Sequence, residues 1–216
     1  MDLYTRRRVA GRECLDDLTG PVVFVANHNS HMDTPVILRA LPGRWRRRTA
    51  VAAAADYFYD KRRKALSASL AFGTVPLDRN SGAGVGPGQT AHLDSLIGDG
   101  RSLLVFPEGT RSRDGRVGRL RTGAAVLAAE HHLPVVPIYV SGTRDAMPRG
   151  HRWMVFKAGR PGPRHTLEIR FGKPIAPRAG ERPAEVMERV RLFLADCGAE
   201  TEREPYAEHA HLRQPV

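Results

Sequence analysis

The run Pro21-Val22-Val23-Phe24-Val25-Ala26 passes directly into Asn27-His28-Asn29-Ser30-His31-Met32-Asp33. A short, unbroken aliphatic run that stops at turn-forming residues reads as a strand buried on both faces, as in a parallel sheet. Polar side chains then stand where the strand ends, and in open α/β sheets that edge is where ligands bind.

Working outward, similar apolar runs occur at residues 50–54, 74–77, 102–106, 135–140 and 167–171. The alanine-rich run at 50 suits a helix equally well. Helical patterns alternate with the runs. Thr34-Pro35 offers a cap and a first-turn proline, with Val36, Ile37, Leu38 and Leu41 facing inward. Residues 57–72, 89–97 and 122–131 form three further candidates. Beyond Pro183, the residues Val186, Val190, Phe193, Leu194 and Cys197 recur at helical spacing. The alternation predicts an α/β fold, a central mainly parallel sheet flanked by helices. One domain over residues 1–198 is expected, with a polar, flexible tail over 199–216.

Hydrophobic residues make up 41% of the 216 and charged residues 26%, which excludes wholesale disorder. The formal net charge of +11 suits anionic partners: a phosphate-bearing substrate, an acidic carrier protein, an anionic membrane or nucleic acid. Arginine is also abundant throughout, so a general compositional bias accounts for the charge equally well. The two cysteines, Cys14 and Cys197, lie far apart and form neither a metal spacing nor a disulfide framework. A reducing, cytoplasmic setting is the expectation. The first 18 residues are charged and have the pattern of neither a signal peptide nor an anchor. No apolar stretch approaches the roughly 20 residues that span a bilayer, so membrane contact is expected to be peripheral.

His28 stands five positions before Asp33. A carboxylate against one ring nitrogen fixes the tautomer and stabilises the imidazolium, leaving the other nitrogen to accept a proton. His31 opens a second reading, in which His-x-x-His-x-Asp binds a metal. The zinc pattern His-Glu-x-x-His is absent and no third ligand cluster accompanies it, so no metal is expected. A hydrogen-bonded turn without chemistry is the plainest alternative.

A second polar cluster, Phe106-Pro107-Glu108-Gly109-Thr110-Arg111-Ser112, follows the run Leu103-Leu104-Val105. Gly109 lets the backbone approach a ligand closely, and the Arg111 fork matches two phosphate oxygens. Glu108 is suited to a substrate hydroxyl or to holding an arginine. Gly73-Thr74-Val75-Pro76-Leu77-Asp78-Arg79 brings another arginine after an apolar run. The glycine-rich stretch 81–88 lacks the lysine and spacing of a Walker loop and reads as a flexible loop.

These segments together resemble the glycerolipid acyltransferase family. Its His-x4-Asp block corresponds to residues 27–33, and its second block, ending in arginine, to residues 73–79. The third corresponds to residues 106–112 and the proline-containing fourth to Val135-Val136-Pro137-Ile138-Tyr139-Val140. The resemblance spans about residues 18–175 and implies that family's fold. It also implies a mechanism in which His28 deprotonates an acceptor hydroxyl, Asp33 orients His28, and the hydroxyl attacks the thioester of acyl-CoA or an acyl-carrier protein. Arg79, Glu108, Gly109, Thr110 and Arg111 would hold a lysophospholipid acceptor such as lysophosphatidic acid, and Pro137 would shape the pocket. Neither a cofactor nor a covalent acyl-enzyme is implied.

Lipid substrates imply contact with an anionic membrane, at its inner face. Arg44-Trp45-Arg46-Arg47-Arg48 and Lys61-Arg62-Arg63-Lys64 offer the charge, and Trp45, Tyr57, Phe58 and Tyr59 offer rings to insert. Three other functions compete. The acceptor is instead a glycolipid, a polyketide or an amine-bearing lipid; or His28 activates water in a hydrolase; or the charge serves nucleic acid. The last lacks any recognised signature, so no nucleic acid is expected.

Overall fold

Val23–Ala26 (β2) is buried along its whole length, because it lies in mid-sheet with neighbours on both sides. The computed structural model describes residues 3–54, 74–77, 87–148, 150–151, 153–157 and 163–201. The remaining strands are Thr5–Ala10 (β1), Thr49–Ala54 (β3), Thr74–Leu77 (β4), Ser102–Val105 (β5), Val135–Ser141 (β6) and His165–Phe171 (β7). Their order across the sheet is β1-β7-β6-β2-β5-β3-β4. Every neighbouring pair is parallel except β6 with β7. Val25 faces Val105 on one side and Pro137 on the other.

The period-two alternation of strand side chains divides the core into two layers. Phe24, Ala26, Leu104, Val136 and Ile138 point to the face covered by helix Asp33–Ala40 (α1) and by Gly43–Arg48 (α2). Val23, Val25, Leu103, Val135 and Tyr139 point to the other face. Helices Pro87–Gly98 (α3), Gly123–Glu130 (α4) and Pro183–Asp196 (α6) cover that side, while Thr143–Ala146 (α5) is a single turn after β6. In α6, Pro183 occupies the first turn, and Glu185 Oε2 accepts from Arg182 N at 3.1 Å ahead of the buried stripe Val186, Met187, Val190 and Leu194. The alanine-rich run at 50 is strand β3, paired with β5 and β4. The expected helix at 57–72 lies outside the described residues.

Two elements fall outside the sequence expectations. Strand β1 is Thr-Arg-Arg-Arg-Val-Ala, an edge strand whose charges are tolerated because only one side pairs, with β7. Helix α2 carries the basic cluster at 44–48, yet its tryptophan does not face outward. Trp45 is 6% exposed and meets Phe24 edge-on, with ring centroids 5.8 Å apart. The expectation that Trp45 inserts into a membrane is therefore overturned: the indole is the plug between α2 and the sheet. Tyr57, Phe58, Tyr59 and the cluster at 61–64 lie outside the described residues.

Pro137 belongs to β6 at an irregularity in its pairing with the chain after β7. Ile138 faces Phe171, whereas Val135 bridges Ile175, so the second strand carries one extra residue between. Proline is accommodated at such bulges because the missing N–H removes no ladder bond. Past α6, Val117 N donates to Glu200 O at 2.7 Å and bridges to Thr201, so the packing continues beyond residue 198.

Candidate active site

Strands β2, β5 and β6 are parallel, so the residues following each of them share one edge of the sheet. That arrangement brings together Asn27 to Asp33, Phe106 to Ser112, and Gly142-Thr143. Asn27 fixes the first loop to the end of β6. Its amide is buried, donates to Val140 O at 2.9 Å and accepts from Val140 N at 2.8 Å, prolonging the ladder with a side chain.

Asp33 stands at the first position of α1 and has no exposed surface. Its Oδ2 accepts from Asn29 N at 2.6 Å, Ser30 N at 2.8 Å and His28 Nδ1 at 2.9 Å. Its Oδ1 accepts from Thr143 Oγ1 at 2.5 Å. A buried carboxylate so surrounded by donors is fixed in orientation. With Nδ1–H committed to Asp33, the neutral imidazole carries its lone pair on Nε2. The His28 side chain retains 19% exposure, and its ring stacks on Phe106 with centroids 4.2 Å apart.

Glu108 joins the two loops. Its Oε1 accepts from His28 N at 2.7 Å and its Oε2 from Gly118 N at 3.0 Å. Burial pushes its carboxyl above the usual glutamate range, and the two backbone donors act against that rise. The carboxylate therefore places the backbone of His28, a task different from the contact with a substrate hydroxyl read from the sequence. Ser112 N, donating to His28 O at 2.8 Å, makes a second staple between the loops.

Gly109 has φ of +71°, the left-handed region where an L side chain is strained. A Cβ there would also stand 3.2 Å from Arg121 Nε, so this guanidinium lies directly over the turn. Arg111 is half-buried, and its charge acts on His31. Loss of hydration, then the positive charges of Arg111 and His28, hold His31 below the usual histidine range, while Asp33 pulls the other way. Thr110 is exposed.

His28, His31, Asp33, Glu108, Gly109 and Arg111 are thus drawn to one edge. Pro137 is not among them: it lies on the α6 face of the sheet, where Gly172 packs between its ring and Phe193. Arg79 lies outside the described residues. Thr143 and Arg121 join the site without having been singled out in the sequence. Thr143 carried one signal, its place just after a buried run, as for the other two loops. Among the described residues, no three His, Cys, Asp or Glu side chains are grouped to hold a metal ion.

The edge thus holds an imidazole whose Nε2 is able to accept a proton, together with the guanidinium groups of Arg111 and Arg121. Residues 6–141, which carry the loops after β2 and β5 and end just before Gly142-Thr143, match the family model described as Acyltransferase. The chain belongs to the acyltransferase family. It is 32% identical over 154 residues to the chloroplastic 1-acyl-sn-glycerol-3-phosphate acyltransferase of Brassica napus, a match covering 68% of this chain and 40% of that protein. It is 27% identical over 198 residues to the alpha 1-acyl-sn-glycerol-3-phosphate acyltransferase of Bos taurus, covering 90% of this chain and 64% of the relative. The chain thus spans about two fifths to two thirds of these relatives' lengths. The fold is that of the 1-acyl-sn-glycerophosphate acyltransferase PlsC of Thermotoga maritima, with a TM-score of 0.65 at 23% identity. That likeness covers 92% of this chain and 75% of the other.

Proposed function

We propose that the protein moves a fatty acyl group from a thioester, acyl-CoA or acyl-carrier protein, to the hydroxyl of a lysophospholipid such as lysophosphatidic acid. The observation that carries this reading is the His28–Asp33 pair: a ring held by a fully buried carboxylate, with Nε2 turned from that bond, in a loop whose His31 feels the charge of Arg111. The names of the relatives favour the glycerol phosphate acceptor.

In this mechanism His28 Nε2 takes the proton of the acceptor hydroxyl as its oxygen attacks the thioester carbonyl. The C–S bond then breaks, and the departing thiolate takes the proton from the imidazolium. Asp33 stabilises that cation between the two steps without accepting the proton itself. Arg111, with Arg79, Gly109 and Thr110, holds the phosphate; Arg121 lies over the same turn and adds to the positive field. The reaction needs no cofactor beyond the donor. It takes place at the inner face of an anionic membrane, reached from the cytoplasm through peripheral contact.

The test is thiol release from palmitoyl-CoA by purified protein, with and without lysophosphatidic acid. Release should depend on the acceptor and fall at least about 100-fold in His28→Ala, the range typical of a lost general base. Arg111→Ala should chiefly raise KM for the acceptor. Acceptor-independent release would make the protein a thioesterase, and an unchanged acceptor KM in Arg111→Ala would remove the phosphate role.

A further inference from the structure

Among the described residues, three large apolar side chains are exposed: Leu3 at 67%, Trp153 at 68% and Leu192 at 48%. Leu192 lies alone on α6, as single surface hydrophobics commonly do. The other two belong to segments that meet. Leu3 precedes Tyr4, whose ring lies 4.4 Å from that of Phe156, three residues after Trp153. The carbonyl of Tyr4 also accepts from His165 N at 2.9 Å.

The sheet's topology sets this pair at the site's own edge. β1 runs with β7, β7 runs against β6, and β6 runs with β2. The beginnings of β1 and β7 therefore lie at the same edge as the ends of β2 and β6, where His28 and Thr143 stand. Leu3 comes just before β1, and Trp153 lies in the connection between α5 and β7. That connection is tied to the site: Ser30 Oγ donates to Met147 O at 3.0 Å, and Val155 N to Ala146 O at 2.9 Å. Its charge is one-sided. Residues 143–164 contain Arg144, Arg149, Arg152, Lys157, Arg160 and Arg164 against the single acid Asp145.

An exposed indole in a basic segment, with an exposed leucine at the same edge of the sheet, matches one surface in particular. A bilayer interface takes the ring at headgroup depth while anionic lipids attract the cations of that segment. We propose that the face bearing Leu3 and Trp153 docks on an anionic phospholipid bilayer, and so presents the His28 edge to lipids lying in it. This deepens the peripheral contact proposed above, moving it from Trp45, which is core, to Trp153. It rests on that reading for the substrate but not for the docking itself, which requires no turnover.

The experiment is co-sedimentation of the full chain with phosphatidylcholine vesicles, with and without phosphatidylglycerol, at physiological and high salt. Wild type should bind the anionic vesicles and release in high salt. Trp153→Ser should weaken that binding about tenfold, and addition of Leu3→Ser should weaken it further. The chain has two tryptophans, and Trp45 is buried, so quenching by brominated lipid should report Trp153 alone. No binding to anionic vesicles, binding unaffected by Trp153→Ser, or preference for an acidic carrier protein over vesicles would each overturn the proposal. A monomeric, short-chain thioester and acceptor should be turned over by Trp153→Ser at the wild-type rate. If that rate fell as well, the indole would belong to the reaction site and the docking assignment would fail. Vesicle binding by a wild type that releases no thiol would refute the reaction and support the docking face.

Discussion

Thr143 and Asp33 are 110 residues apart in sequence, yet their side chains meet at 2.5 Å with both residues fully buried. The hydroxyl supplies the only bond recorded to Oδ1 among the described residues; Oδ2 has three. Thr143→Val keeps the shape and removes that donor. A buried acceptor left unpaired at a charged group costs about 1.5–3 kcal/mol, which predicts a loss of roughly 10- to 100-fold in kcat/KM. Thr143→Ser, which keeps the hydroxyl, should restore the rate. A Ser variant as slow as the Val variant would show that Thr143 serves packing only. At this scale the sequence made His28 and Asp33 legible, because a His and a carboxylate five positions apart at a strand end announce themselves. It did not make Thr143 legible, since nothing local marks a hydroxyl whose partner arrives from another loop.

Strands β2, β5 and β6 were legible as aliphatic runs because burial on both faces leaves them without the polar alternation of a half-exposed strand. Strand β1 was not, because an edge tolerates three consecutive arginines. What the runs did not disclose was how their loops are joined. Glu108 is the joint: both oxygens accept backbone N–H groups, one from His28 and one from Gly118. Glu108→Gln can supply only one acceptor oxygen and turns an amide donor towards the other N–H. The expected result is a lower kcat with the acceptor KM near the wild-type value, since the base is displaced while the cradle around Arg111 persists. A kinetic series over acceptor concentration decides it. A rise in acceptor KM alone would instead return Glu108 to the substrate contact suggested by its sequence.

The whole molecule assigns its two tryptophans opposite tasks, a division that sequence cannot reveal because both lie among arginines: Arg44 and Arg46 flank Trp45, and Arg152 precedes Trp153. Only the packed sheet decides between them. Trp45 closes the α1 face against Phe24 and is 6% exposed, whereas Trp153 is 68% exposed at the edge of the site. Removal of a core tryptophan loses its transfer free energy and leaves a cavity, together about 3–5 kcal/mol, a large share of a typical domain's stability of about 5–15 kcal/mol. Trp45→Ala should therefore lower the urea midpoint markedly while the folded fraction retains its affinity for anionic vesicles. Trp153→Ser should do the reverse, keeping the unfolding free energy within about 0.5 kcal/mol of wild type, as surface changes do, and losing vesicle affinity. The paired measurement separates membrane contact from folding, because loss of either property lowers activity on lipid substrates. If Trp45→Ala left the midpoint unchanged, the wedge between α2 and the sheet would not be a source of stability, and the arginines of α2 would regain their claim to the membrane.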